Sequence, residues 1–407
     1  MSPLPTAVPA GTPSAPPLLG RSPAPDLARG WMLALIAVAN VMIYLVGRPY
    51  GFRQHVVEDG AVDHAVSAAV VTLVDGRAYP LFAFLFGYGM VQLSERRRSE
   101  GAGDAEVRQF QRRRSVVLIA FGAVHGMLLF PGDILGWYGV VGLLLAALMR
   151  RSDRALLWVA GLWLVPAAVV TGLVYGLATG PERGFLWSFE MTDPLAALAS
   201  RPMEWVMAPF GLLPVVTAAL VGVVAARHHV LEQPFLHRRL LRRTALVGIL
   251  LAVAGGAPSG IVAGGYLPAP GVSGSVTLAV VHALTGVAGG LGLAAVFALL
   301  ASRSPGRPGV VVGAVAATGR RSLSAYLSQS VVFVLLLTLP LVGLGAHLGT
   351  AAATLLAVAV WATTVVVSAA LDGRGVRGPA ERLLRHLASR GRGPRRARLP
   401  RPTGSVS

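Results

Sequence analysis

The segment RRRSVVLIAFGAVHGMLLFPGDILGWYGVVGLLLAALMRR, residues 112–151, decides the fold of this chain. It contains two apolar runs, 115–131 and 133–149, which meet at a Pro-Gly turn and have arginines at their outer ends. A helix of that length rises about 25 Å at ~1.5 Å per residue, close to the ~30 Å hydrocarbon core of a bilayer. The segment therefore predicts two antiparallel membrane-spanning helices whose charged ends lie on the same side.

Similar apolar runs recur along the whole chain, which is 54% hydrophobic and 13% charged, with a mean hydropathy of +0.64. Each run is long enough to cross a bilayer and carries hardly any charge inside it. The predicted spans are 29–48, 76–93, 115–131, 133–149, 155–178, 206–226, 244–262, 276–301, 322–345 and 350–371. The sequence thus predicts an all-α, polytopic transmembrane helical bundle of about ten spans.

The basic residues predict the orientation of this bundle. All 36 are arginines, and they cluster in every second gap between the apolar runs. If the N-terminus is cytoplasmic, the segments on that side hold 31 of them, against four in the outer loops (Arg48, Arg53, Arg183 and Arg201). Positive loops face the cytoplasm. We therefore expect both termini in the cytoplasm and a multi-pass protein of the cell membrane.

The organisation along the chain follows from the same pattern. We expect a disordered cytoplasmic tail at 1–25, an N-terminal transmembrane half at 26–230, a C-terminal transmembrane domain at 231–388 and a disordered basic tail at 389–407. The apolar stretch 62–75 predicts a short interfacial helix that breaks at Gly76. Aromatic residues of the outer loop 179–205 suggest an interfacial belt (Trp187, Phe189 and Trp205).

Composition narrows the chemistry. The net charge of +18 lies in short loops and tails beside the spans, where it sets topology and meets lipid headgroups, so the bilayer and not nucleic acid is the expected partner. The chain has no cysteine and no lysine, which excludes thiolate and Schiff-base catalysis. No metal-ligand or phosphate-loop spacing is present, and we expect neither a metal nor a permanently bound cofactor.

Polar residues inside the predicted spans are the candidate functional residues, because placing them in a membrane is costly unless they are paired or hydrated. Asn40, His125 and Asp133 are predicted to lie in the outer half, with Asp75 and Arg77 at a similar depth. The first three could supply a carbonyl-binding amide, a general base and its orienting carboxylate, while Asp75 and Arg77 could bind substrate. The alternative is that they only join helices by hydrogen bonds. Other histidines could replace His125 as the base (His55, His64 and His282).

A second candidate region is TGRRSLSAYLSQS, residues 318–330, which runs from an arginine-rich loop into a span. An arginine pair and several hydroxyls at a helix start suit a phosphate-bearing ligand. We therefore predict that four residues there bind a cosubstrate (Arg320, Arg321, Tyr326 and Gln329). The alternative is a helix start with ordinary membrane anchors.

Together these motifs resemble the YeiB-like family of bacterial multi-pass membrane proteins, whose C-terminal half is the domain of unknown function 418. The segment 318–330 resembles the opening of that domain, and Gly378-Pro379-Ala380-Glu381 with Arg385 resembles its closing signature. Further matches are Asp26 and Arg29-Gly30 with Asn40, LFAFLFGYG at 81–89, Arg113-Arg114 with Gly122 and His125-Gly126, and Gly132-Asp133-Ile134-Leu135. The resemblance covers residues 26–388.

The YeiB-like family is similar in pattern to transmembrane acyltransferases, which include the bacterial acyltransferase-three proteins and the lysosomal heparan glucosamine N-acetyltransferase. These transfer an acyl group from cytosolic acyl-CoA to a sugar or glycolipid on the far side. The spacing of Arg29-Gly30 and Asn40 resembles the start of the heparan enzyme's catalytic domain, which has a functional Asn at the matching point. Because His55 and His64 are offset from the family's histidine, His125 is the preferred base.

Three functions remain open on sequence grounds. The first is transfer of an acyl group from acyl-CoA, as cosubstrate, to an extracytoplasmic carbohydrate or lipid-linked acceptor. The second is transport of a small molecule or lipid, with His125 and Asp133 as a proton relay, although no internal repeat of the kind that underlies many transporters is evident. The third is a non-catalytic membrane component, which predicts that the polar residues satisfy one another.

Overall fold

The computed structural model describes residues 23–178, 180–303, 309–338 and 342–389. Within these ranges the chain forms fourteen α-helices and no β-strand, only an isolated bridge between Tyr50 and Val56. The helices are α1 (Ala24–Val41), α2 (Ala61–Leu73), α3 (Ala78–Ser99), α4 (Asp104–Leu128), α5 (Leu135–Leu148), α6 (Asp153–Gly176), α7 (Pro194–Met207), α8 (Val215–Arg227), α9 (Arg238–Ala263), α10 (Val272–Ala301), α11 (Val310–Arg320), α12 (Ser322–Leu337), α13 (Thr350–Gly373) and α14 (Pro379–Ser389). Nearly all of the two predicted tails, 1–22 and 390–407, lies outside the described residues.

The predicted membrane bundle is confirmed. Six helical stretches are long and apolar enough to cross a membrane, and a seventh is added if the bent pair of α7 and α8 counts as one span. Every one of the ten predicted spans coincides with a helix, but α5 and α12 have only 14 and 16 residues, and the first half of α4 is rich in arginine. The count of ten and the side of the termini therefore remain predictions.

The predicted break at Gly76 is present, but α2 is more than an interfacial helix. Gly76 has a φ of +72°, a conformation that favours glycine, and it separates α2 from α3. On the N-terminal side of the break, α2 packs along the C-terminal part of α9, where Thr72 lies against Gly256 and Gly260. Residues 61–99 thus form one long apolar element, broken where Asp75 and Arg77 lie beside the middle of α9.

Close helix packing brings the centre of the bundle together. On α3, a Cβ added to Gly87 would lie 2.1 Å from the carbonyl oxygen of Ala219 on α8. A Cβ on Gly222 of α8 would approach the carbonyl of Phe84 equally closely. Small residues permit this close approach of two backbones. In a membrane the resulting van der Waals packing drives helix association, because the hydrophobic effect does not.

The two ends of the bundle differ in charge. We call the end formed by 94–114, 150–154, 227–243 and 374–389 the arginine-rich end, which the positive-inside rule assigns to the cytoplasm. The opposite end, which we call the far end, is formed by 45–60 and 180–205. The helix α11 was not predicted, because it lies in what reads as a charged loop; it packs on α1, where Gly30 meets the backbone of Val315.

Candidate functional site

His125 and Asp133 form a buried pair near the far end. His125 is 3% exposed and Asp133 2% exposed, and the imidazole Nδ1 lies 2.7 Å from the carboxylate Oδ1. The other carboxylate oxygen accepts a hydrogen bond from the backbone N–H of Gly136 at 2.7 Å, so Asp133 also caps the start of α5. A Cβ at Gly122 would lie 2.4 Å from this oxygen, so a glycine is needed where α4 meets α5. Asp133 therefore orients the imidazole.

The second nitrogen of His125 points into the bundle without a partner. Its Nε2 is buried and has no hydrogen bond among the described residues, and the same is true of both amide atoms of Gln329. The rings of His125 and Tyr326 lie 5.1 Å apart between centroids. Because Tyr326 and Gln329 are one turn apart on α12, they face the bundle interior beside His125. Their predicted role in binding a cosubstrate stays a prediction.

Asn40 joins the same region through two tyrosines. It is 4% exposed, and its Oδ1 accepts a hydrogen bond from the Tyr79 hydroxyl at 2.9 Å. The Tyr138 hydroxyl donates to the backbone carbonyl of Tyr79 at 2.7 Å. Tyr79 and Asp133 both lie close enough to interact electrostatically with the Tyr326 hydroxyl. Asn40 and His125 thus flank a common buried region, without a direct hydrogen bond between them.

Asp75 and Arg77 belong to a separate cluster at the break between α2 and α3. The Asp75 carboxylate accepts two hydrogen bonds from Arg53, at 3.0 and 2.8 Å. Arg77 is 1% exposed; its guanidinium donates to the carbonyls of Asp75 and Ala252 and contacts the His282 ring. Only Arg53 of the two arginines bonds the Asp75 carboxylate, so the cluster contains two buried arginines and one carboxylate and has an excess of positive charge.

Sequence reasoning missed Arg53 in this cluster. Its guanidinium lies 4.5 Å above the centre of the Tyr175 ring, and its backbone φ is +58°. One signal was available, because Arg53 is one of only four arginines in the predicted outer loops, where the positive-inside rule disfavours arginine. A charge at such a position needs a specific partner, and here the partner is Asp75.

The arginine-rich end contains a large open cavity, which we call the main cavity. Its volume is about 1050 Å³, at the upper end of the range for small-molecule sites. Seven arginines and five carboxylates line it: Arg29, Arg96, Arg114, Arg320, Arg321, Arg377 and Arg385, with Asp26, Glu95, Glu232, Asp372 and Glu381. At its inner end are Met32, Phe82 and Phe86, and the Phe82 ring packs on Tyr138 at 4.3 Å. His125 is not among its lining residues.

Arg320 and Arg321 both lie in the wall of the main cavity but differ in availability. Arg321 is 6% exposed and donates to the carbonyls of Ala317 and Val376 and to Asp372, which fixes it in the fold. Arg320 is more exposed and makes one ion pair, to Asp372 at 2.7 Å. Partial burial opposes ionisation of Asp372, but hydrogen bonds from both arginines hold the pKa of its carboxyl below the ordinary value. Of this pair, Arg320 is the residue free to reorient toward a ligand.

The start of α12 is occupied by a carboxylate of the chain itself. Glu381 accepts hydrogen bonds from the backbone N–H groups of Leu323 and Ser324, at 2.8 and 3.1 Å, and from the Ser324 hydroxyl at 2.5 Å. The Ser324 hydroxyl oxygen in turn accepts from the N–H of Ala380. The two terminal motifs of the predicted family domain therefore bind each other, and the helix N-terminus that suggested a phosphate site is already capped.

The far end is closed over the His125 region. Phe189, in a short 3₁₀ turn, packs on the Tyr44 ring at 4.9 Å. Trp205 of α7 fills the space above Gly126 and Gly136, where added Cβ atoms would lie about 2.4 and 2.5 Å from its ring. Phe189 and Trp205 therefore pack inward and cover the His125 region at the far end, whereas we predicted that they belong to an interfacial aromatic belt.

The alternative histidines lie elsewhere. The His64 Nδ1 bonds the carbonyl of Gly264 at 2.7 Å, and His55 lies 3.9 Å from Asp75. His282 contacts Arg77, as described above. Among the described residues, no group of three or more His, Cys, Asp or Glu side chains could hold a metal ion.

Part of the chain matches a protein family. Residues 225–391 match the family described as "Protein of unknown function (DUF418)". The chain is 26% identical over 218 residues to the uncharacterized protein YxaH of Bacillus subtilis (strain 168), covering 47% of this chain and 53% of YxaH. It is 31% identical over 109 residues to the uncharacterized protein YeiB of Escherichia coli (strain K12), covering 26% of each.

A third relative is the uncharacterized 39.9 kDa protein in the amylase 3' region of Bacillus acidopullulyticus, 26% identical over 168 residues, which are 39% of this chain and 45% of that protein. The chain spans about half the length, or less, of the curated relatives it matches. No solved structure matches it.

Proposed function

This chain resembles the YeiB-like membrane proteins, and its residues 225–391 match the DUF418 family. We propose a reaction that uses both ends of the membrane bundle. An acyl group passes from acyl-CoA at the arginine-rich end to a hydroxyl or amine of an acceptor that enters from the far end. The acceptor is an extracytoplasmic carbohydrate or a lipid-linked molecule.

The main cavity is the proposed donor site. Its volume of about 1050 Å³ suits a nucleotide-sized ligand, and seven arginines line it against five carboxylates. Four of those carboxylates already have partners: Asp26 pairs with Arg29, Asp372 pairs with Arg320 and Arg321, Glu232 accepts from Tyr88 and Gln92, and Glu381 accepts from the start of α12. The remaining positive charge favours the phosphates of coenzyme A. Phe82 and Phe86 lie between the cavity and Tyr138. These two side chains must therefore change rotamer for the acyl group of acyl-CoA to pass from the cavity toward His125.

His125 is the proposed general base. With its Nδ1 proton held by Asp133, the lone pair is on Nε2, which faces the buried region. The acceptor oxygen or nitrogen attacks the thioester carbonyl while Nε2 takes its proton, and the C–S bond of the tetrahedral intermediate then breaks. The imidazolium returns the proton to the departing coenzyme A thiolate, while Asp133 stays ionised.

The remaining polar residues hold the two reactants. The Oδ1 of Asn40 accepts a hydrogen bond from Tyr79. The amide N–H groups of Asn40 can therefore bind the acyl carbonyl oxygen as negative charge develops on it. Asp75 and Arg77, with Arg53, form the positively charged cluster that holds the acceptor on the far-end side.

The observation that carries the proposal is the buried, unpaired Nε2 of His125, which lies next to the Tyr326 ring, together with the unpaired Gln329 amide on the same helix as Tyr326. Burying a polar group without a partner costs roughly 1–3 kcal/mol. A non-catalytic component would be expected to satisfy these groups internally. A substrate that enters the region and binds them explains why they are left open.

The test uses membranes containing the full chain and acetyl-CoA labelled in the acetyl group. We expect label in the lipid or glycan fraction, and a loss of about 10²–10⁴-fold for His125→Gln, the range for general-base catalysis. The matched control is His228→Gln, since His228 is an exposed histidine paired with Asp153. Equal rates in both variants would exclude His125 as the base.

Transport is the second candidate, because the bundle is open at one end and closed by Phe189 and Trp205 at the other. An alternating-access transporter has such a one-sided form. The same labelled acetyl-CoA distinguishes the two, since a transporter that binds it would leave the thioester intact. Label that stays on coenzyme A in the presence of the full chain and native membranes favours transport.

A further inference from the structure

A second cavity adjoins the main one, between α3, α4 and α14, and the two share the lining residues Leu93, Arg96, Arg114, Glu381 and Arg385. We call it the side pocket; its volume is about 330 Å³. Its lining residues are Leu93, Arg96, Arg97, Glu100, Phe110, Arg114, Glu381, Leu384, Arg385, Ala388 and Ser389. We propose that the side pocket binds the phosphate headgroup of an anionic phospholipid from the leaflet at the arginine-rich end.

The pocket is short of negative charge. Four arginines line it against two carboxylates, of which Glu100 pairs with Arg96 at 3.1 Å and Glu381 caps α12. Arg114 and Arg385 have neither an ion pair nor a hydrogen bond to any described residue. Burial, then the like charges of Arg377 and Arg96, lowers the pKa of Arg385, as expected where cations outnumber anions. A phosphate would supply the missing charge with strong hydrogen bonds.

The lining is also apolar on the side where a lipid chain would lie. Leu93, Phe110, Leu384 and Ala388 contribute this surface, and Arg97 lies 3.8 Å above the Phe110 ring. The predicted spans 76–93 and 115–131 end next to the pocket, so it lies at the level of the headgroups. A free phosphate or a nucleotide would leave the apolar wall exposed, whereas a phospholipid covers it.

The C-terminal helix supports the same occupant. α14 carries basic residues on an exposed face, and its Leu383 is 50% exposed. Six further arginines follow in the sequence between residues 390 and 401, a stretch outside the described residues. An amphipathic helix next to a polybasic segment is typical of binding to anionic lipid.

The test measures binding of phosphatidylglycerol to the full chain purified in a non-ionic detergent, by native mass spectrometry. Phosphatidylcholine with the same acyl chains is the reference lipid. We expect phosphatidylglycerol to be retained preferentially, and Arg114→Gln and Arg385→Gln each to weaken its binding about five- to tenfold. The matched controls are Arg112→Gln on α4 and Arg382→Gln on α14, because these arginines lie on the same helices as Arg114 and Arg385 but do not line the pocket. The controls should change binding less than about twofold.

Three results would overturn the proposal. Equal retention of the two lipids would show that the pocket does not recognise an anionic headgroup. Equal loss in all four variants would assign the binding to diffuse surface charge. If coenzyme A displaces phosphatidylglycerol, and its own binding depends on Arg114 and Arg385 in the same way, the side pocket belongs to the acyl-donor site.

Discussion

For single residues, the chemistry of the buried region depends on which nitrogen of His125 carries the proton. Asp133 accepts at one oxygen from the imidazole and at the other from the N–H of Gly136. The start of α5 therefore holds the carboxylate in place, and the carboxylate in turn orients the histidine. Because only an acceptor opposite Nδ1 leaves a lone pair at Nε2, the charge of Asp133 matters less than its ability to accept a hydrogen bond.

The substitution Asp133→Asn separates these two properties. The amide oxygen can still cap Gly136, while the amide N–H₂ faces His125 Nδ1 and favours the tautomer with its proton on Nε2. We expect acyl transfer to fall by roughly 10²–10⁴-fold, as for loss of a general base, with little change in the melting temperature. Transfer of acetyl label by purified protein and thermal unfolding would measure the two effects. Undiminished transfer would mean that the pair is structural.

For helical elements, the site depends on two junctions that hold helices at fixed distances. The hairpin of α4 and α5 brings His125 to Asp133, and it closes only because Gly122 on α4 and Gly139 on α5 let the backbones approach. At the other end, Glu381 joins α14 to the start of α12, which carries Tyr326 and Gln329. A change at either junction should act on the site through helix position.

The hairpin can be tested with Gly122→Ala. The new methyl group would lie about 2.1 Å from the backbone nitrogen of Gly136, so α5 must move. Overpacking of this kind costs about 1–3 kcal/mol, and we expect a lower melting temperature together with reduced acyl transfer. The control is Gly161→Ala on α6, where no atom lies within 4 Å of the added Cβ. There the higher helix propensity of alanine should be neutral or stabilising.

The second junction can be tested with Glu381→Ala. This change removes the acceptor for two backbone N–H groups of α12 and should cost about 0.5–2 kcal/mol, as for loss of a helix cap. Hydrogen exchange of the α14 amides should accelerate, because α14 loses its bond to α12. Asp193→Ala is the control, since Asp193 caps α7 at the far end by accepting from the N–H of Leu195. Unchanged exchange in α14 would show that other contacts hold this helix.

For the whole molecule, the sequence predicted what depends on local pattern and missed what depends on distant contacts. Apolar runs predicted every spanning helix, and His125 and Asp133 could be paired because only a tight turn separates them. The bond from Glu381 to Ser324 joins positions far apart in the chain, which no periodicity reveals. The cosubstrate role of Tyr326 stays a prediction, but the helix start beside it is capped by Glu381, a contact that the local sequence does not reveal.

The orientation of the bundle and the role of α5 can be tested together, because the chain has no cysteine to confuse labelling. Glu182→Cys lies in an exposed loop at the far end and Asp104→Cys on the exposed start of α4. Three predicted spans, α4, α5 and α6, separate these positions, so an impermeant maleimide should label the first in intact cells and the second only after permeabilisation. If α5, with its 14 residues, fails to cross, two spans remain and both sites label from one side. If only the Asp104→Cys site labels in intact cells, the main cavity faces away from cytosolic acyl-CoA, and the proposed reaction fails.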